Sequence, residues 1–500
     1  MRSLIKMIIK IRLLRIFNYI FFGVFYYILI LAIGNMNLQS PIGGLLIIPY
    51  LFFLYRFVKK VEKHIFNIKR TWCVLQVVSC IVMVIMVFQL RVSITWDWGQ
   101  LLNSAYNYTM TGKIDNPEYF MRYPNNQIWL VCLIGFFKII SICTLSTEFT
   151  IYKAASMIAS ICLMQLSIFF VYKTAKLIWS EKKAFGVGVA ALLYVPFYLY
   201  AMFLYTDVPG ICLVTLLEYC SMKLYRKGNK KAEIFYAAIF GILGAAVLHI
   251  KIIAFIIFIA VIISFIFNNT CSRVGMCIIF LCFLVSYLLI GTADNVLKFD
   301  EKESAKYELP FTHWIMMSLG RTGGYNLDDV NYTASITTYD GKIEVNIEKI
   351  KERISDYGFM GTVKHVLYTK QCRTWTNSCI GGDDYVGREP ILDSSFCHKI
   401  FSKNGDWHWI CLIYTWLGHI TIMIGMLFSA LLSVKKEIAD QNLLAGRIAV
   451  FGLFVFLSIW ECNSRYLLTL TPIMILVAAD GWYMVFDKIL EVKCPSIPIY

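Results

Sequence analysis

Ile128-Trp129-Leu130-Val131-Cys132-Leu133-Ile134-Gly135-Phe136-Phe137-Lys138-Ile139-Ile140-Ser141-Ile142 is the stretch on which the fold turns. It is apolar enough to enter a bilayer, but at 15 residues it falls short of the ~20 that carry a helix across a ~30 Å hydrocarbon core. It also follows Pro124, which starts a helix more readily than it continues one. If this stretch crosses the membrane, every later basic cluster is exported. If it lies along the outer surface, all of them fall on one side, as the preference of Lys and Arg for the cytoplasmic face requires. The second choice is the expectation here.

The rest of the chain is read outward from that choice. Of 500 residues, 58% are apolar and 16% charged, so the chain is expected to be an all-α polytopic membrane protein. The 47 basic and 32 acidic residues give +15, a balance that would suggest nucleic acid in a soluble protein. Here the positives sit in short loops between apolar runs, which makes them an orientation signal and implies no nucleic-acid partner. They cluster at Arg2 to Arg15, Arg56 to Arg70, Lys173 to Lys183, Lys223 to Lys231, Lys435 and Lys436, and Lys488. The basic start leads into an apolar run without a small-residue cleavage site and reads as a retained first helix. Most of the 16 cysteines lie inside apolar runs as core filler. Cys372, Cys379 and Cys397 could form an external disulfide, and no paired metal-ligand spacing is evident.

Starting inside, crossings are expected near 16–34, 42–58 and 72–90, then 150–172, 184–205, 208–222, 233–249, 252–268 and 274–291, and finally 408–433, 447–461 and 466–486. That is about twelve transmembrane helices with both termini cytoplasmic. The turn within 233–268 rests only on His249 and Lys251. Three parts follow: a transmembrane module, 1–291, with an external loop 91–127; a mainly helical extracytoplasmic segment, 292–407; and C-terminal helices, 408–500. In the external segment Asn346 can cap a helix with Ile347, Ile350, Ile354 and Tyr357 on one face and Gly358 as its stop. A second helix would follow, with Val363, Val366 and Leu367 on its apolar side. Pro310 to Met317 is aromatic and apolar enough to dip back toward the membrane.

The candidate chemistry sits in the loop that begins Trp96-Asp97-Trp98-Gly99 and ends Tyr119-Phe120-Met121-Arg122-Tyr123-Pro124-Asn125-Asn126. Asp97 follows a helix end at Arg91 and can stand where a prenyl phosphate headgroup meets water. There a carboxylate can take a proton from an incoming hydroxyl while the flanking rings stack on a sugar. The alternative is a solvated loop residue or helix cap, and Asp115 and Glu118 are the next acids. Asp207, before Val208-Pro209, is either a site residue at an external turn or a turn former. Lys251, beside His249 in a long apolar stretch, needs a partner: a lipid phosphate is one reading, snorkelling at a turn the other. Arg465, after Trp460-Glu461, can grip phosphate oxygens in two places or anchor the chain at the interface. Arg122 and His313 are further candidates, and Glu218 lies deep in a helix. No Gly-rich phosphate loop and no acidic cluster of metal-ligand spacing is present, so no nucleotide cofactor is expected and a divalent metal stays an open alternative without support in the spacing.

Four features together resemble the C-type (GT-C) glycosyltransferase superfamily of integral membrane enzymes: the acidic first external loop, Tyr123-Pro124-Asn125-Asn126 opening an interfacial helix, Tyr205-Thr206-Asp207 at a later external turn, and Trp460-Glu461 through Arg465-Tyr466-Leu467-Leu468. Within that superfamily the chain resembles bacterial members related to protein O-mannosyltransferases and lipid A aminoarabinose transferases, and Lys370 to Trp375 resembles Gram-positive members. The resemblance implies a bacterial plasma membrane, a polyprenyl phosphate sugar as donor and Asp97 as base. Beside that base, the residues read as candidates for the donor phosphate are Arg465, Lys251, His249 and Arg122, and those for sugar or acceptor are Trp96, Trp98, Tyr123, Asn125, Asn126, Asp207 and His313. Asp97 lacks the second acid that many members carry beside it, and Pro124-Asn125-Asn126 replaces the usual Pro-Pro-Leu. The partners implied are that donor, a cell-envelope acceptor (glycan, lipid or protein) and membrane lipid. The competing classes are a surface-polysaccharide polymerase, a lipid-linked oligosaccharide transporter, and a non-enzymatic scaffold in which Asp97 would be replaceable.

Overall fold

The computed structural model describes residues 2–39, 41–64, 67–226, 228–435 and 443–493. Lys436 and the final residues, with the cytoplasmic placement expected of them, lie outside that set. The described residues are almost wholly helical, and their sole extended pairing is an isolated bridge between Val92 and Pro390. Among the described residues eight helices are long and apolar enough to cross a membrane: Ile8–Asn35, Ile68–Gln89, Pro124–Thr144, Phe149–Ile178, Lys230–Ile250, Arg273–Leu297, His408–Ser433 and Ser464–Ile489. Pro41–Lys63, Asp207–Tyr225 and the shorter Ile252–Asn268 and Leu444–Ile459 run among them. So does a run broken between Glu181–Leu192 and Val195–Tyr200. The break follows from Pro196, whose missing N–H cannot continue the ladder, and the Tyr198 hydroxyl donates to the freed Leu192 carbonyl at 2.6 Å.

These runs alternate between two ends of one bundle. At the basic end Lys10 reaches the Phe267 carbonyl, Lys182 the Glu62 carbonyl, and Lys183 pairs with Asp487. Four helices that start at this end have Asn67, Ser180, Asn229 and Ser272 as N-caps, each accepting a backbone N–H of its first turn, the placement that Asn and Ser favour. At the other end Lys251 meets Asp207, so the chain does turn at Lys251, in extended backbone.

Ile128 to Ile142 now has a longer frame, because Gln127–Thr144 is helical and, with the turn before it, spans 21 residues. The length argument for keeping it out of the bilayer therefore falls. A different constraint takes its place. Helices Ile68–Gln89 and Phe149–Ile178 run antiparallel, with Trp72 stacked on Tyr172, Gln76 bonded to Gln165 and Lys153 bonded to the Val92 carbonyl. Residues 93–148 thus leave and return at the same end of that pair. Within the excursion Trp96–Thr111 and Gln127–Thr144 lie side by side, and Lys138 sits over the Tyr108 ring.

The segment after 292 departs from expectation in three places. Its long helix starts at Tyr339, capped by Thr338, not at Asn346. Asn346 is fully buried within the helix and bonded to Thr333 and Thr312, so the buried face carries Lys342 and Asn346 while Ile347 and Ile354 are exposed. Gly358 does break the geometry, at φ +61°, a conformation glycine adopts without steric cost. Pro310 to Met317 packs against the end of Leu444–Ile459, with Trp314 stacked on Trp460. The deeper insertion is His365 to Ile380. Trp375 is wholly buried against Phe25, its carbonyl meets His419, and Lys370 caps the C-terminal end of Leu444–Ile459 through the Ser458 and Trp460 carbonyls. Cys372, Cys379 and Cys397 are all free thiols, and the thiol beside Cys379 is Cys411.

Candidate active site at the loop-rich end

Two carboxylates organise this end. Asp97 lies in the first turn of Trp96–Thr111. Its Oδ1 accepts the Tyr119 hydroxyl at 2.8 Å and its Oδ2 the Tyr205 hydroxyl at 3.3 Å. Asn126 donates to the Tyr119 oxygen at 2.8 Å, which fixes the phenol's direction. Burial, reinforced by the Asp97 charge, holds the Tyr119 phenol well above its ordinary range, so Tyr119 serves as a neutral donor. Asp97 itself is half-exposed, and two hydrogen bonds leave lone pairs of its oxygens free, since a carboxylate can accept about four.

Asp207 has the opposite surroundings. It is buried, with Lys251 Nζ 2.8 Å from Oδ1 and Arg465 Nε 3.6 Å from Oδ2. The cations are themselves packed on rings. Lys251 lies over Tyr205 and Tyr466 at 5.5 Å each, and Arg465 over Tyr385, Tyr205, Trp96 and Tyr466 at 5.3 to 5.8 Å. Such contacts contribute ~1 to 2 kcal/mol each when desolvated. Neither the Arg465 Nε, which faces Oδ2, nor the Asp207 Oδ1, which faces Lys251, has a hydrogen bond, so both contacts are electrostatic and leave donor capacity unused. Tyr466 donates to Glu461 at 3.0 Å, and burial raises the Glu461 carboxyl above its ordinary range.

Trp96 joins the two halves. It takes φ +50°, a left-handed conformation costly for a bulky side chain, and its ring packs against Trp98, Phe203, Tyr205 and Tyr385. Local strain held in place by surrounding packing is common where a site needs fixed geometry.

Of the residues singled out in the sequence, Asp97, Trp96, Asn126, Asp207, Lys251 and Arg465 come together. Asp207 belongs with the cations as their counter-ion and not with a sugar-facing loop. Trp98 is wholly buried under Phe203 and Lys153, so it has no face to offer a sugar. Asn126 is buried and occupied with Tyr119. Tyr123 and exposed Asn125 stand at the rim, Tyr123 beside Tyr119 and Trp314. Arg122 is half-buried there, its Nε without a hydrogen-bond partner. His249 stacks on Tyr287 and bonds its carbonyl, turned to the neighbouring helix. His313 is buried in the external segment against Thr333, where burial and the nearby Arg353 charge lower it to about 4. Exposed Asp115 and Glu118 bond Asn107 and Tyr307.

Sequence reasoning passed over Tyr119, Tyr205, Tyr385, Glu461 and Tyr466 as site residues. Tyr119, Tyr205, Glu461 and Tyr466 lie inside the quoted motifs, and that adjacency was the available signal.

A family model described as conserved hypothetical integral membrane protein matches residues 11–382. No curated protein matches. Among solved structures, the chain is similar to the archaeal oligosaccharyltransferase AglB from Archaeoglobus fulgidus in complex with an inhibitory peptide and a dolichol-phosphate. Identity is 14% and the TM-score 0.43, covering 84% of this chain and 52% of that one. The Archaeoglobus fulgidus oligosaccharyltransferase tethered to an acceptor peptide gives 15% identity and a TM-score of 0.42, covering 84% of this chain and 50% of that one. The chain spans about half the length of these proteins.

Proposed function

This chain belongs to the family of conserved hypothetical integral membrane proteins, and we propose that it is a C-type membrane glycosyltransferase moving a sugar from a polyprenyl phosphate to an extracytoplasmic acceptor. The observation that carries this reading is one residue, Tyr205, whose hydroxyl meets Asp97 and whose ring faces Lys251 and Arg465. A base with spare lone pairs thus lies next to a cationic seat.

The charges fit the chemistry. Lys251 and Arg465 against Asp207 leave one surplus positive charge, which matches the single negative charge of a sugar phosphodiester. Asp97 takes the proton of the acceptor hydroxyl, the oxygen attacks the anomeric carbon, and the carbon–oxygen bond to phosphate breaks with inversion. The departing phosphate gains a second negative charge, which the two cations stabilise in a setting of low dielectric. The step needs no nucleotide and no metal. The acceptor is a cell-envelope glycan, lipid or protein.

The same reading makes the loop-rich end extracytoplasmic. The basic loops then fall inside, as the charge rule requires. Twelve crossings place both termini in the cytoplasm of a bacterial plasma membrane, and Pro124–Thr144 lies along the outer surface. What supports the last point is the return of residues 93–148 to the end they left. Single cysteines at positions 180 and 228 should resist a membrane-impermeant reagent in intact cells, and labelling there would sink the arrangement.

A transporter would need charges lining several central helices, whereas the cations of this cluster sit at one end. A polymerase would depend on external basic residues more than on Asp97. The deciding assay offers purified protein radiolabelled undecaprenyl phosphate sugars and cell-envelope fractions as acceptor. Transfer by the wild type that is lost in Asp97→Asn supports the transferase; near-normal transfer by Asp97→Asn rejects Asp97 as base.

A further inference from the structure

Outside the Asp97 cluster, one group of metal-ligating side chains draws together residues from two elements. Cys379 ends the inserted segment and is wholly buried; His408 and Cys411 are three residues apart in the first turn of His408–Ser433. One ligand atom from each lies within 4.8 Å of the other two, and the two sulfurs are 3.8 Å apart. Two thiolates at the ~2.3 Å zinc–sulfur distance on a tetrahedral ion stand ~3.8 Å from each other, so the sulfurs already have the spacing that the ion imposes. The separation is far longer than the ~2.05 Å of a disulfide.

The surroundings are those of a metal site too. Asp383 is buried, with Oδ2 3.1 Å from the His408 Nε2, and both that nitrogen and the Asp383 Oδ1 lack a hydrogen-bond partner. A carboxylate beside one imidazole nitrogen is the usual support for a ring whose other nitrogen binds an ion. The Thr415 hydroxyl lies 3.3 Å from the Cys379 sulfur while giving its proton to the Cys411 carbonyl at 2.8 Å, which ties the two cysteines to one turn of the helix. We propose that Cys379, Cys411 and His408 bind a zinc ion, with Asp383 holding the imidazole. Two thiol protons pass to solvent as two zinc–sulfur bonds form, and no electrons move, so binding weakens at acid pH.

The ion would pin the inserted loop to the start of the first C-terminal helix. Tyr385, two residues beyond Asp383, packs on Arg465 and Trp96, so the metal has a positioning role for the wall of the site and no part in the transfer step. The sequence hid the set because its halves, Cys379-x3-Asp383 and His408-x2-Cys411, are separated by 24 residues.

The test is metal analysis of the full chain purified without chelator from zinc-supplemented cells. About one zinc per chain is expected. After exchange, cobalt(II) should give the near-ultraviolet thiolate charge-transfer and strong visible bands of a tetrahedral site. Cys379→Ser and Cys411→Ser should lose the metal, Cys397→Ser should keep it, and Asp383→Asn should weaken affinity by roughly 10- to 100-fold. The wild-type cobalt spectrum needs no variant to fold. Zinc well below one equivalent without the thiolate–cobalt absorption overturns the proposal, and so does a Cys379–Cys411 disulfide peptide from the native protein. Transfer is scored separately through Asp97→Asn, so failure of the metal proposal leaves the assignment of the base untouched.

Discussion

Asp97 and Asp207 are linked through Tyr205 and are held in opposite ways. Neutral phenols donate to Asp97, leaving it half-exposed with its charge uncancelled, whereas Asp207 is buried between two cations that it neutralises in part. A carboxylate among hydrogen-bond donors that keep their protons remains able to accept one from a substrate. A carboxylate between Lys and Arg is a structural counter-ion, and removing it leaves buried positive charge behind. In the proposed transferase the charge of the neighbours, and not residue type, separates a base from a brace.

That contrast can be broken most directly by comparing Asp97→Asn with Asp207→Asn. Asp97→Asn should lower turnover by roughly two to four orders of magnitude while the thermal midpoint in detergent stays near that of the wild type. Asp207→Asn should cost about 3 kcal/mol of stability, because it strands Lys251 and Arg465, and calorimetry or a thermal-shift series can read the difference. If the two variants exchange these signatures, the assignment of base and brace is reversed.

Arg465→Lys sharpens the comparison on the cationic side. It keeps the charge but loses the planar fork, so affinity for undecaprenyl phosphate, followed by native mass spectrometry, should drop about tenfold. Unchanged affinity in both Arg465→Ala and Lys251→Ala would remove these residues from the donor seat. On the neutral side, Tyr119→Phe removes one donor from Asp97 and should lower turnover by about tenfold, the worth of a hydrogen bond near 1.5 kcal/mol to a charged group. No loss on that change would leave Tyr119 as packing.

The smallest effect separates the site from the external segment by pH. His313 in the fold is lowered to about 4, against ~6.5 when unfolded. Between those values the unfolded chain binds the extra proton, so stability falls as pH drops from about 6.5 to 4, by up to roughly 3 kcal/mol. Hydrogen exchange of the external segment should quicken over that window and should flatten in His313→Gln. The acid limb of turnover then needs to be read in that variant, where it reports on the site and not on the external segment.

Hydropathy and charge made the helical runs, their turn at Lys251 and the return of the basic loops to one end legible, because each is a property of residues close together in the chain. The same local signals pointed to Asp97 and Arg465, since a charged group beside rings at the end of an apolar run needs a reason. Local pattern misled at Asn346, whose cap-like chemistry serves Thr333 and Thr312 inside a helix, and at Trp98, where an aromatic in a polar loop became core.

The sequence by itself determined where the chain turns and which polar groups had to be accounted for, because apolar length and loop charge act on each segment separately. Only the tertiary structure decided that Asp207 meets Lys251 and Arg465, that His365 to Ile380 inserts among the helices, and that Cys379 stands beside Cys411. Those partners lie tens to hundreds of residues apart, and an ion pair or thiol contact depends on distance in space, which helix packing sets and local pattern does not encode.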